Sequence, residues 1–230
     1  MFEKTELKNK AINLRRSGLS YTEILKQIPV AKSTLSLWLQ DVGLSKKQKQ
    51  RLTEKKLASA RRGGEARRRQ RIERTIQIKT EAKREAKELI RNPLWMVGTI
   101  LYWGEGSKEK EWRPHEKVKF SNMDANSHKI FIKWLMEFCN VDKKDITYSL
   151  YIHRTANFKK AKSFWAETLN INADNLRVYF KNSNPKTIRK NINDNYSGLL
   201  STEVNKSVML NRRIAGWIEY VIEYFEKNNR

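Results

Sequence analysis

Glu105 stands between Gly104 and Gly106 at the end of an apolar run, Leu101-Tyr102-Trp103-Gly104-Glu105-Gly106-Ser107, that Pro93 opens. An acid flanked by glycines where a buried helix should stop adds little to a core. It is suited to holding a carboxylate on a divalent cation beside a phosphate. Carboxylate oxygens match Mg²⁺, and the cation offsets the charge that shields a phosphodiester from attack. Lys108, Lys110 and Lys119 lie close in sequence and can orient water or balance developing charge. Asp124, in Phe120-Ser121-Asn122-Met123-Asp124, is a second polar candidate, equally explained as the cap of the helix after it. His153 ends an alternating strand beside Arg154. It is a candidate general base, since its unperturbed pKa is about 6.5, with a hydrogen-bonded strand end as the competing explanation.

These residues sit in a strongly basic chain of 230 residues, with 48 Lys and Arg against 25 acids and a formal net charge of +23. Such an excess points to a polyanionic partner, nucleic acid above all. Apolar content of 39% is enough for real cores and argues against global disorder. Cys139 is the single cysteine, which excludes an intrachain disulfide and a cysteine-rich zinc site. His115, His128 and His153 are too scattered to suggest a histidine metal cluster. With no signal peptide and no long apolar run, a cytoplasmic, nucleoid-associated protein with no membrane partner is expected.

Three segments position the candidates. In residues 1–45, a helix over 5–17 ends at Gly18. Ser20 and Glu23 then form a capping box for a second helix, and a third runs from Lys32 to Gln40 with Leu35, Trp38 and Leu39 inward. Residues 46–91 carry 18 Lys or Arg and six acids with little to stop a helix except Gly63-Gly64. One or two long exposed helices are expected there, linking two domains. Arg67, Arg68, Arg69 and Arg71 are phosphate-contact candidates, and Ile72 and Ile76 form a thin apolar stripe. In residues 92–230 the order reads helix, hairpin, helix, strand, helix, two strands, helix. This predicts an α+β domain with an antiparallel or mixed sheet backed by helices. The hairpin is placed within 109–120, and strands at 146–153, 176–181 and 197–203. Arg113 at the hairpin turn and Lys181, Lys186, Arg189 and Lys190 around the loop 182–196 suit backbone or groove contacts. Trp165, Trp217 and Tyr220 read as core, and Trp112 as exposed.

Gly18-Leu19-Ser20-Tyr21-Thr22-Glu23-Ile24 with Val30-Ala31-Lys32-Ser33-Thr34-Leu35-Ser36-Leu37-Trp38-Leu39 resembles the helix-turn-helix of resolvases and transposase-like proteins. The resemblance implies that the third helix enters the major groove with Lys32, Ser33, Ser36 and Gln40 toward DNA. Ala31 departs from it, where a serine or threonine cap is usual. The string from Val97 to Ser107, with the element order, resembles the LAGLIDADG homing endonucleases over roughly residues 93–225. That resemblance implies an αββαβαββα-type domain with a saddle-shaped sheet over DNA. It implies a homodimer through helix 93–105, Gly98 and Gly104 as small contact positions, and one metal-binding Glu105 from each chain. Bulky Tyr102 and Trp103 depart from a tight helix crossing.

The expected function is sequence-directed binding of double-stranded DNA with Mg²⁺-dependent phosphodiester hydrolysis. The alternatives are a non-cleaving transcriptional regulator and a recombination or transposition accessory protein. RNA is less suited, because the helix-turn-helix fits a B-form major groove.

Overall fold

The computed structural model describes residues 2–44, 46–181 and 196–228. The chain divides into two compact units, Met1–Ile72 and Glu73–Arg230.

The first unit holds α1 (Phe2–Arg16), α2 (Tyr21–Leu25), α3 (Lys32–Leu39) and the first part of α4 (Lys46–Leu89). Ala11, Ile24, Ile28, Leu35 and Leu39 are its buried centre. Gly18 makes the first turn at φ +96, and a Cβ there would lie 2.9 Å from Gln48, so both conformation and space select glycine. Ser20 caps α2 and Glu23 returns the bond to the Ser20 backbone. The same carboxylate takes Lys55 from α4, while Arg51 donates to Gly18 O at 2.6 Å and Gln48 to Arg16 O at 2.7 Å. The Lys55 ammonium and the Ser20 donors pull the Glu23 carboxyl down to about 2. The start of α4 is therefore docked on α2, the end of α1 and the turn between them.

The second unit begins with residues 73–89 of α4. Then follow α5 (Pro93–Glu105), β1 (Lys119–Asn122), α6 (Ala125–Phe138), β2 (Ile146–His153), α7 (Phe158–Leu169), β3 (Leu176–Lys181), β4 (Leu199–Val204) and α8 (Val208–Asn228). The sheet order is β1-β4-β2-β3. β4 runs antiparallel to β1 and β2, whereas β2 and β3 are parallel, joined through α7. Phe120, Leu150, Ile152 and Leu200 point into a core with Trp95, Phe131, Trp134, Trp165 and Trp217.

Two sequence expectations are corrected here. The element order after α4 is αβαβαββα, not αββαβαββα, and the sheet is an open four-strand array with edges β1 and β3, not a saddle. The missing strand lies in 109–118. There a tight bridge pairs Lys110 with Arg113, His115 takes a positive φ, and Glu109 turns away to Arg212 of α8. No strand forms from that segment; β1 pairs with β4 on one side and meets only an isolated bridge from Gly106 to Phe120 besides. The helical 157–169 segment becomes a parallel crossover, which a meander of antiparallel strands does not contain.

The basic middle segment is one helix, uninterrupted at Gly63-Gly64. Its last part is not merely solvated. Ala82 and Ala86 are buried, and a Cβ on Gly216 would meet Ala82 and the Lys79 carbonyl at 2.8 Å, so α4 and α8 cross closely. Lys79–Glu219, Lys83–Glu223 and Arg213–Glu85 flank the crossing at 2.6, 2.7 and 2.8 Å.

His128 is a core residue. Its Nε2 lies 3.2 Å from the Asn122 carbonyl and must donate there, so Nδ1 accepts from the Thr202 hydroxyl at 2.9 Å. Edge-on contacts to Phe120 and Trp165 seal it. Burial pushes its pKa down to about 4. The unfolded chain therefore binds the extra proton first, and this stability is complete above about pH 6.5 and lost as pH falls toward 4. The expected loss is about 3 kcal/mol at the acid end. Urea titrations of wild type and His128→Gln between pH 7 and 4 check it: the variant lacks this pH-dependent component.

Candidate nucleic-acid interface

The outer face of α3 carries Lys32, Ser33, Ser36, Leu37 and Gln40, all exposed, across about 140° of the helix circumference. Leu35 and Leu39 lie buried on the opposite side. Every third-helix residue expected to face DNA is therefore on the free face. Ala31 is the N-cap and makes no side-chain bond, so the start of α3 leaves backbone N–H groups available to a phosphate oxygen. Leu37, 66% exposed, shares this face and was not among the residues expected to face DNA. An apolar side chain among polar ones on such a face fits a thymine methyl.

Beside α2, a groove of about 840 Å³ separates Ser20, Thr22 and Lys26 from Lys55, Lys56, Ser59 and Arg67 of α4. Its wall also includes Glu23, Leu52 and Ala60, and its hydroxyls and cations are groups suited to a phosphate backbone. Arg67, Arg68 and Arg69 are exposed and Arg71 is half-buried.

In the second unit the catalytic candidates do not converge. Glu105 is exposed at the last position of α5. Lys119 begins β1, and its carbonyl takes the Ser107 N–H at 2.8 Å, so it lies near Glu105. Asp124 is the N-cap of α6. The Ser127 hydroxyl and the Asn126 and Ser127 N–H groups hold its carboxyl below its ordinary range. His153 ends β2, two strands from β1, with its ring against Tyr196. Ordinary strand spacing and rise put it roughly 20 Å from the β1 backbone at Phe120. Lys108 donates to the Trp103 carbonyl at 2.8 Å and closes the C-terminus of α5. Lys110 lies over the Trp112 ring, Arg113 approaches Glu116, and Arg154 lies over Phe180. Lys181 ends β3, while Lys186, Arg189 and Lys190 fall outside the described residues.

Among the described residues no group of three or more His, Cys, Asp or Glu side chains gathers. Glu105 supplies one carboxylate, and Glu109 is engaged by Arg212 on both oxygens. A single chain thus offers Mg²⁺ one unengaged carboxylate here, and the remaining oxygens of an octahedral site would have to come from waters and phosphates.

Gly98, read as facing a twin helix, faces its own chain: a Cβ there would lie 2.1 Å from Trp134 of α6. The outer side of α5 carries Val97, Ile100 and Trp103, all exposed, with open space at Gly104. The end of α5 is held from α8. Asn211 donates to the Tyr102 hydroxyl, Ser107 O and Lys117 O at 3.1, 2.9 and 3.1 Å. Arg212, beside it, grips Glu109 with two bonds of 2.8 Å.

No helix among the described residues is long and apolar enough to cross a membrane. Compared with family models, curated proteins and solved structures, the chain matches none of them.

Proposed function

We propose that this chain binds double-stranded DNA in a sequence-directed way, working with chromosomal DNA in the cytoplasm. One observation carries the reading: α3 presents Lys32, Ser33, Ser36, Leu37 and Gln40 together on a free face above a buried three-helix core. Amide and hydroxyl side chains can read base edges in the major groove, and Lys32 adds charge. The basic face of α4 supplies phosphate contacts, which set affinity and register without reading sequence. The test is the affinity of the purified chain for a duplex over a NaCl series. Log K should fall linearly with log salt, with a slope of about −0.9 for each phosphate neutralised. A flat salt response overturns the electrostatic part of the reading.

The second reading adds cleavage by a homodimer. The observation favouring it is the exposed apolar stripe Val97–Ile100–Trp103 on the outer side of α5, the helix that ends at Glu105. Covering that stripe with a second copy brings two Glu105 carboxylates into one assembly, which the single chain lacks. Wild type should then scatter light as a dimer and Val97→Glu/Ile100→Glu as a monomer. Glu105→Gln should keep the dimer and duplex binding but lose Mg²⁺-dependent nicking of plasmid DNA. Wild type that never nicks, with or without Mg²⁺, leaves only the binding reading standing.

A further inference from the structure

The two faces of the sheet differ. One receives α6 and α7 through Phe120, Leu150, Ile152 and Leu200. The other carries Lys119 and Ser121 on β1, Leu199, Ser201 and Glu203 on β4, Thr147, Ser149, Tyr151 and His153 on β2, and Arg177, Tyr179 and Lys181 on β3. This second face is mostly hydroxylic or charged, with a pair of tyrosines toward one edge. Tyr151 and Tyr179 are direct register partners, and their rings stack with centroids 5.2 Å apart and planes 18° from parallel.

Tyr179 is the outer member of that stack. Tyr151 covers one side of its ring, and β3 is the edge of the sheet, so among the described residues no strand neighbours the other side. Its 45% exposure is large for an aromatic residue in the middle of a strand. Arg177 and Lys181 are two residues before and after it and alternate onto the same face. β3 thus presents cation, aromatic, cation at steps of about 6.6 Å. That step is comparable with the spacing of phosphates along an extended single strand.

We infer that the β3 edge, centred on the Tyr151–Tyr179 stack, is a binding platform for the unpaired bases of single-stranded DNA. The inference rests on the chain being a nucleic-acid-binding protein, but it uses a different surface from α3. A duplex hides its base faces within its own stack and offers a protruding ring nothing to stack on. An unpaired base can extend the tyrosine stack by one ring, while Arg177 and Lys181 meet the phosphates on either side. The charges suit this occupant: Glu203 is drawn toward Lys117 at 2.7 Å, leaving the β3 cations as the local charge beside the rings. A protein partner would need apolar area that this hydroxyl-rich face lacks.

The test uses the full chain and two fluorescent probes of equal length. One is a thymine-rich single strand with 2-aminopurine at its centre, and the other is a blunt duplex. Wild type is expected to bind the single strand and quench 2-aminopurine. Tyr179→Ala and Tyr179→Leu should weaken single-strand binding about 10-fold and abolish quenching, with duplex affinity unchanged. Tyr179→Phe should retain both, because the ring and not the hydroxyl is used. Leu keeps the bulk, and matching thermal unfolding curves confirm that each variant is folded. Single-strand binding that survives Tyr179→Leu, or a wild type that ignores the single strand, overturns the inference. Loss of duplex binding by wild type would instead overturn the α3 reading and leave this result independent of it.

Discussion

Replacing Lys32, Ser36 and Gln40 by alanine is expected to lower affinity for the preferred duplex about a hundred-fold or more, with little loss for an unrelated duplex. All three side chains are exposed, so the fold should lose only about 0.5 kcal/mol or less at each position. Base-edge contacts contribute about 1–3 kcal/mol each when well formed, and two such contacts reach this size. The cations of α4 remain in place, so binding that depends on phosphates alone persists with its salt dependence. Leu37 sharpens the result. Leu37→Ala should weaken binding mainly where the site places a thymine methyl under that helix position. Anisotropy titrations at fixed salt, on preferred and scrambled duplexes, separate these terms. Equal losses on both duplexes would mean that α3 contributes charge and no reading.

The second large effect is on stability. Arg212→Ala should destabilise the unit 73–230 by about 3 kcal/mol. The guanidinium is nearly buried and closes two 2.8 Å bonds on Glu109, a carboxylate that is itself only slightly exposed. The guanidinium holds the Glu109 carboxyl below its usual range, and the carboxylate raises Arg212 in turn. Removing Arg212 strands the acid, whereas Glu109→Gln/Arg212→Met removes both charges and should recover much of the loss. For a unit of this size about 3 kcal/mol is about 6–12 °C in Tm, readable by calorimetry. The single variant should also loosen the segment 106–118 and increase its amide exchange, because it loses the Glu109 anchor to α8 and keeps those of Asn211 and Ser207.

Much of this architecture was legible because the local signals were strong. β2, with Ile146, Tyr148, Leu150 and Ile152 on one face, was fixed by simple alternation, and Asn157 and Asn170 bracket α7 as caps. The capping box at Ser20 and Glu23 is a local hydrogen-bond pattern, so a single sequence suffices to read it. Trp165 and Trp217 are buried as expected, and Trp112 is 81% exposed.

What was not legible depends on partners far along the chain. Residues 109–120 were expected to hold a hairpin turning at Arg113, but the distant Arg212 and Asn211 recruit the segment 109–118 into a loop. The sheet is therefore open where a saddle was expected. The packing of Ala82 and Ala86 on α8 is hidden because alanines give no periodic signal in a charged helix, and the matching clue, Gly216, is 130 residues away. Gly98 was recognisable as a close-contact glycine, but its neighbour, Trp134 of the same chain, was not. The Tyr151–Tyr179 pair required the parallel register of β2 and β3, which no spacing rule supplies.

The central claim is that α3 reads base sequence. Its most direct test is selection of bound duplexes from a randomised library by the full chain in physiological salt, followed by the same selection with Lys32, Ser36 and Gln40 replaced. The account predicts one enriched motif, bound about a thousand-fold or more above random duplex, and its disappearance in the variant. Recovery of the same motif by the variant, or no motif from wild type, would contradict it.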